Sequence, residues 1–146
     1  MVTARLTRLT LRALDSAARI LPGKQAPEHL LTARRGEEAA YFHLRQLGYV
    51  MIARNYRSPR SRSELDLVGW DGDTLCFVEV KTRSTRAIQP AEAAVDPEKQ
   101  RDLAGVAREF LRKVKGNPTY RFDIVSVYLK PGEEPDITLF RHAFSG

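Results

Sequence analysis

Cysteine is almost missing from this chain. Among 146 residues there is one, Cys76, so no intrachain disulfide can form and nothing points to an oxidising compartment. Cys76 reads as a small buried hydrophobe. Histidine is sparse too. His29, His43 and His142 are scattered, and with a single thiol they offer no zinc spacing. No apolar run approaches the ~18 residues that a membrane span needs; no span is expected, and the chain reads as cytoplasmic. Glycine-rich phosphate loops and G-x-G-x-x-G are absent, as is any Ser-His-Asp or Cys-His pattern. No small-molecule cofactor is therefore expected. There is no internal repeat and no low-complexity tract.

What is present is an ordinary globular composition, 42% apolar and 29% charged, in a length suited to one domain with a real core. The formal net charge is +6. A basic balance favours phosphate-rich partners, although ribosome-bound, membrane-surface and ordinary basic proteins share it.

Residues 1–30 differ from the rest. Leu6, Leu9, Ala13, Leu14, Ala17 and Leu21 fall at helical spacing among arginines, and PGKQAPEHL then reads as a linker. This segment supplies +3 of the +6. A basic amphipathic extension suits a transit peptide, a membrane-surface helix, a nucleic-acid arm or an extra packed helix. Residues 31–146 read as a single domain. RRGEEAAYFHLRQLGY predicts a helix, with Ala40, Leu44 and Leu47 on one stripe and Gly48 as the stop. YVMIARNYR, ELDLVGW and TLCFVEVKTR predict three strands, the last two joined by a tight Asp71-Gly72 turn. TLCFVEVKTR is apolar without alternation until its end, as in a strand covered on both faces. Asp96 and Pro97 open a second helix whose stripe runs Leu103, Val106, Ala107, Phe110, Leu111, Val114, with Gly116 ending it. RFDIVSVYL and DITLFRHAF complete the order α-β-β-β-α-β-β, an α/β or α+β arrangement with a mixed sheet of about five strands.

Acids interrupt the two central strands. Residues two apart on a strand share a face, so Glu64 goes with Asp66 and Glu79 with Lys81. Neighbouring strands would bring Asp66 and Glu79 together at the sheet's end, with Lys81 beside them. Two carboxylates on a buried surface repel and resist ionisation, and a divalent cation relieves both effects. Mg²⁺ takes oxygen ligands, commonly one or two carboxylates with water and substrate phosphate. An adjacent lysine helps orient water or stabilise charge growing on phosphorus. Asp, Glu and Lys together are the set that metal-dependent phosphodiester hydrolysis needs. The plainer alternative is an exposed Glu79–Lys81 pair with Asp66 at an edge. Asp123, another strand acid, reads as structural and paired with a neighbour.

The D-x(n)-E-x-K pattern on adjacent strands, after a helix carrying a glutamate, resembles the PD-(D/E)XK nuclease superfamily. Its restriction-endonuclease-like core has the order α-β-β-β-α-β. More narrowly, RRGEEAA, LGY, ARNYR, ELDLV, FVEVKTR, KQ and RFDIV resemble, in order and spacing, the YraN-like family of bacterial proteins, grouped with Holliday-junction-resolvase-like nucleases. The resemblance covers about residues 33–146. It implies Asp66 and Glu79 as metal ligands, Lys81 as the catalytic lysine, Glu37 as the helix acid completing the metal site, and Gln100 as a residue holding the site. It implies Mg²⁺ or Mn²⁺ as the cofactor. The family usually has glycine where this chain has Ser63, and Glu64 precedes Asp66 by two, so which of the two ligates stays open.

Arg54, Arg57, Arg60 and Arg62 fall within nine residues, in RNYRSPRSR. Arginine grips phosphate with two parallel hydrogen bonds. Tyr56 and the hydroxyls of Ser58, Ser61 and Ser63 would add contacts, and Arg83 and Arg86 would extend the basic rim. The alternative is a flexible solvated hairpin loop. Backbone contacts position nucleic acid without reading sequence. The reading is thus a metal-dependent endonuclease acting on DNA in preference to RNA, branched or single-stranded, with little sequence preference. One alternative is a non-catalytic nucleic-acid-binding protein with a vestigial site, accessory to DNA uptake, repair or recombination. Another is a basic structural or ribosome-associated domain. By analogy with resolvases, which meet two symmetric scissile sites, a homodimer is expected.

Overall fold

Prolines and glycines mark where the two helices begin and where the first one stops. In a computed structural model, which describes residues 26–84 and 95–146, the first helix, α1, runs Glu28–Gln46. The basic amphipathic stretch before residue 26 lies outside the described residues, as does Arg86. The chain divides into two units, Met1–Leu31 and Thr32–Gly146. The expected linker through Leu30 ends sooner than its proline content suggests. The Pro27 carbonyl accepts from the N–H groups of Leu30 and Leu31, and Glu28 suits the positive end of the helix. Gly48 ends α1 as expected, at φ +95°. Tyr49 N–H bonds the Leu44 carbonyl and Gly48 N–H the Arg45 carbonyl, the pair of bonds that closes a helix on a left-handed residue. Leu47 falls in this turn and is 49% exposed. It therefore leaves the stripe assigned to it. The buried stripe is Gly36, Ala40 and Leu44.

Five strands follow: β1 (Val50–Arg57), β2 (Glu64–Asp71), β3 (Thr74–Arg83), then after helix α2 (Pro97–Leu111), β4 (Thr119–Tyr128) and β5 (Asp136–Phe144). They form one mixed sheet in sequence order. β3 and β4 are parallel, which requires the α2 crossover, and every other pair is antiparallel. The α+β order read from the sequence is the order found. Asp96 caps α2 by accepting from Lys99 N–H at 2.8 Å, with Pro97 at the first helical position. Two apolar layers cover the sheet. On one side Leu103, Val106 and Ala107 of α2 meet Leu75, Phe77, Phe122 and Ile124. On the other, Ala40 and Leu44 of α1 meet Leu67, Cys76, Val78 and Val125. β3 is buried on both faces, so its apolar run is continuous.

The sheet forks. The β2–β3 ladder stops at Leu67 opposite Val78, although both strands continue. Glu64 and Leu65 stay paired with β1, and residues 79–83 stay paired with β4. A gap opens between them, and the strand acids lie in it.

Candidate metal centre

Asp66 sits in the crotch of the fork, 9% exposed. The backbone N–H of Val80 has lost its ladder partner there and donates to Asp66 Oδ2 at 2.8 Å. Burial first, then the charge of Glu79, together push the Asp66 carboxyl up to about 8 against the Val80 bond. Glu79 is 7% exposed. Its Oε1 lies 3.4 Å from Lys81 Nζ. Its Oε2 is a buried oxygen with no hydrogen-bond partner, an arrangement that costs on the order of 1–3 kcal/mol or more.

Glu37 reaches the fork from α1. One oxygen each of Glu37, Glu64 and Asp66 lie within 4.8 Å of one another. Burial raises the Glu37 pKa, helped by the charge of Glu64, while Arg54 and an Asn55 hydrogen bond oppose it. Glu37 can come this close because its neighbour is glycine. A Cβ on Gly36 would lie 1.7 Å from Thr82 Oγ1 and 2.6 Å from Thr82 Cβ. The helix thus rests directly on the end of β3. Asn55 was not singled out from the sequence. It adopts φ +48° within β1 and, between the rungs Arg54–Leu67 and Tyr56–Leu65, falls opposite Asp66. An asparagine inside a strand of β-formers was the available signal, since asparagine tolerates left-handed backbone.

Glu37, Glu64 and Asp66 therefore form the close acid group, and Glu79, expected as a ligand, stands outside it, its charge reaching Asp66 and Glu37 and its Oε1 facing Lys81. The acids' donor atoms are all carboxylate oxygens, the set a hard divalent cation selects, and Glu79 Oε2 lacks the partner such a cation would be. Glu64 and Asp66 both belong to the cluster. Glu64 is also held at 2.6 Å by Arg57 Nε. Among the described residues no group containing histidine or cysteine approaches a metal-holding arrangement.

The residues around this gap match the model of an uncharacterised protein family, UPF0102, over residues 36–127. The chain belongs to UPF0102. It is similar to a UPF0102 protein of Koribacter versatilis, 55% identical over 139 residues and covering 94% of each chain. A UPF0102 protein of Solibacter usitatus is 44% identical over 132 residues, covering 90% of this chain and 97% of that one. One from Caldicellulosiruptor saccharolyticus is 40% identical over 111 residues, covering 75% and 92%. The matched span of this UPF0102 chain contains Glu37, Glu64, Asp66, Glu79, Lys81 and Gln100.

The other singled-out residues divide. Gln100 donates from Nε2 to the Val95 carbonyl at 3.0 Å, bracing the approach to α2. The loop after β1 is fastened to α2 rather than free. Ser58, 3% exposed, donates to Glu109 Oε2, Ser63 Oγ lies 3.4 Å from Asp102 Oδ2, and Ser61 Oγ accepts from Ser63 N–H. Tyr56 packs edge-on against Phe110 at 5.0 Å, with Lys113 over its ring. Ser58 and Tyr56 hold the loop, and the Ser58 hydroxyl, buried on Glu109, is not the spare donor expected. Arg60 and Arg62 remain exposed on it. Arg54 turns instead toward α1, where its guanidinium stands over Tyr41. Arg83 is half-buried at the end of β3, and its carbonyl accepts from Leu129 N–H. Asp123 is structural, as read. It is fully buried, takes two 3.0 Å bonds from Arg121 Nε, and accepts from the backbone of His142. Cys76 is buried, and that burial pushes its thiol up to about 12. No helix of the described residues is long and apolar enough to cross a membrane.

Proposed function

We propose that this chain is a divalent-metal-dependent endonuclease that hydrolyses the DNA backbone, on branched or single-stranded substrates and without marked sequence preference. The observation that carries the reading is the trio Glu37, Glu64 and Asp66 with oxygens within 4.8 Å of one another, and beside it Glu79, whose charge acts on Asp66, whose Oε2 is orphaned and whose Oε1 faces Lys81.

Asp66, Glu79, Glu37 and Glu64 would hold Mg²⁺ or Mn²⁺. The ion would neutralise the cluster and the phosphate and lower the pKa of a bound water. The chain's own residues do the rest. Val80 N–H fixes the Asp66 carboxylate from behind. Gly36 lets Glu37 close on the fork. Lys81, held against Glu79, keeps a positive charge where the pentacoordinate phosphate gains negative charge. Exposed arginines bind the flanking backbone and leave bases unread. A dimer would place two such forks on a symmetric junction.

The test is a nicking assay on supercoiled plasmid, single-stranded DNA and a four-way junction, each in Mg²⁺, Mn²⁺ or EDTA. Metal-dependent cutting that disappears in Asp66→Ala and Lys81→Ala is expected. DNA binding without cutting, equal in all three proteins, would refute catalysis and leave a binding module.

A further inference from the structure

Glu37, Tyr41 and Arg45 are four residues apart on α1, so they form one stripe leading away from the acid fork, each step about 6 Å. Two guanidiniums meet on the middle residue. Arg54, from β1, stands 4.8 Å from the Tyr41 ring centroid and Arg45 stands 5.8 Å from it. Arg57, Arg121 and Arg141 all have carboxylates within 4.0 Å. Neither Arg45 nor Arg54 has one among the described residues. Arg54 is exposed and Arg45 half-exposed. The charge of Arg54 also reaches Glu37, so this basic spot borders the fork directly.

Two cations gathered on one ring, neither in a direct ion pair and only Arg54 within reach of an acid's charge among the described residues, leave N–H donors for an anion. The ring holds the guanidiniums by their faces. That leaves the N–H edges, which bind phosphate oxygens in pairs. Ordering two long side chains in advance also lowers the entropy lost on binding. We propose that Arg45 and Arg54, braced on Tyr41, form a seat for backbone phosphates of a nucleic-acid strand that enters the fork along α1. The inference rests on reading the fork as a phosphodiester site. Arg45 lies eight residues, about 12 Å, along α1 from Glu37, three to four nucleotides at about 3.4 Å of rise each. The seat therefore holds the strand a few nucleotides from the scissile phosphate. The route along α1 differs from one over the loop after β1, where Arg57 pairs with Glu64 and Ser58 bonds Glu109 of α2.

The experiment measures binding of a short fluorescent single-stranded DNA to the full chain by anisotropy across a salt series, with Ca²⁺ replacing Mg²⁺. The variant is Arg45→Gln with Arg54→Gln, which keeps side-chain length; a second, Arg45→Lys with Arg54→Lys, keeps charge. The glutamine pair is expected to weaken binding on the order of tenfold and to reduce the salt slope by about 1.4, for two phosphate contacts on a single strand. The lysine pair should keep the salt slope and lose part of the affinity. Arg60→Gln with Arg62→Gln should cost less than the first pair. Inorganic phosphate at matched ionic strength is expected to leave the strand bound.

Unchanged affinity and slope in the glutamine pair, with wild type binding normally, would overturn the seat and leave the nuclease reading standing. Displacement by inorganic phosphate would overturn the strand as its ligand. Wild type that binds no DNA at low salt would overturn both readings together.

Discussion

Replacing Asp66 with asparagine should make the metal-free protein more stable, and by an amount that depends on pH. The amide keeps the shape and an oxygen for Val80 N–H, and it has hydrogens to offer Glu79. It removes the charge that the fork tolerates least. In the wild type the native state holds the Asp66 proton up to about pH 8, whereas the unfolded chain releases it near the ordinary value of 3.8. The folded pKa is raised, so the stability linked to this group is complete below about pH 4 and is lost as pH rises toward 8. Each unit costs about 1.4 kcal/mol, and across the interval the loss amounts to several kcal/mol. That is comparable with the whole stability of a domain, about 5–15 kcal/mol. Urea unfolding in EDTA across this range should show wild type falling away from Asp66→Asn by about 1.4 kcal/mol per pH unit until the curves run parallel above pH 8. Adding Mn²⁺ should reverse the order. Wild type should gain about 2.7 kcal/mol at a hundredfold excess over Kd, and the variant little. Parallel pH profiles in EDTA would mean that Asp66 ionises freely in the native state, and the argument from a strained acid cluster would fail.

Other outcomes follow from single contacts. Gly36→Ala should destabilise the chain by about 2 kcal/mol or more and weaken Mn²⁺ binding, because its Cβ meets Thr82 at 1.7 Å. Adding Thr82→Gly should restore melting temperature, whereas Thr82→Ala should restore it only in part, since Thr82 Cβ itself lies 2.6 Å away. Asp123→Ala should cost about 3–5 kcal/mol in chemical unfolding, by leaving Arg121 short of its buried partner and stripping the His142 N–H of its acceptor. Cys76 should resist thiol reagents at neutral pH in the native state and react at once on unfolding, because its thiol is pushed up to about 12.

Much of this architecture was legible from local chemistry. β3 was readable to the residue because burial on both faces writes an unbroken apolar run. The α2 start was readable because Asp96 and Pro97 satisfy the same helix end in different ways. Leu47 misled because helical spacing continues on paper after the backbone has turned at Gly48. Ser58 misled because a hydroxyl in a polar loop looks the same whether it faces solvent or a glutamate on a distant helix. Gly36 carried no readable assignment, and Asn55 only the oddity of an asparagine among β-formers. One is set by how closely α1 rests on Thr82, the other by a strand rung opposite Asp66, and both are properties of tertiary contact. The fork was beyond sequence for the same reason. That Asp66 and Glu79 would be neighbours follows from strand pairing, but that the pairing stops one rung short of them does not.

The sheet carries two buried charge clusters, and the difference between them supports a ligand for one alone. Around Arg121, the Asp123 carboxylate is filled by Arg121 Nε and the His142 backbone, and Arg121 Nη2 reaches Tyr49 and Asp71 at 2.8 Å. Burial would lower the Arg121 pKa, and its acid neighbours more than reverse this. Positive and negative charges are both present, so the cluster closes on itself and its loss should register as stability. At the fork, four carboxylates face one lysine and one partly committed arginine, and Glu79 Oε2 is the buried side-chain oxygen left without a partner among the described residues. If the fork were structural, replacing its acids by amides would cost stability as Asp123→Ala does. If it is built for a cation, the amides stabilise the metal-free chain and remove its response to metal. Asp66→Asn and Asp123→Asn, measured side by side with and without Mn²⁺, should therefore move in opposite directions. A shared direction would remove the distinction on which the metal site rests.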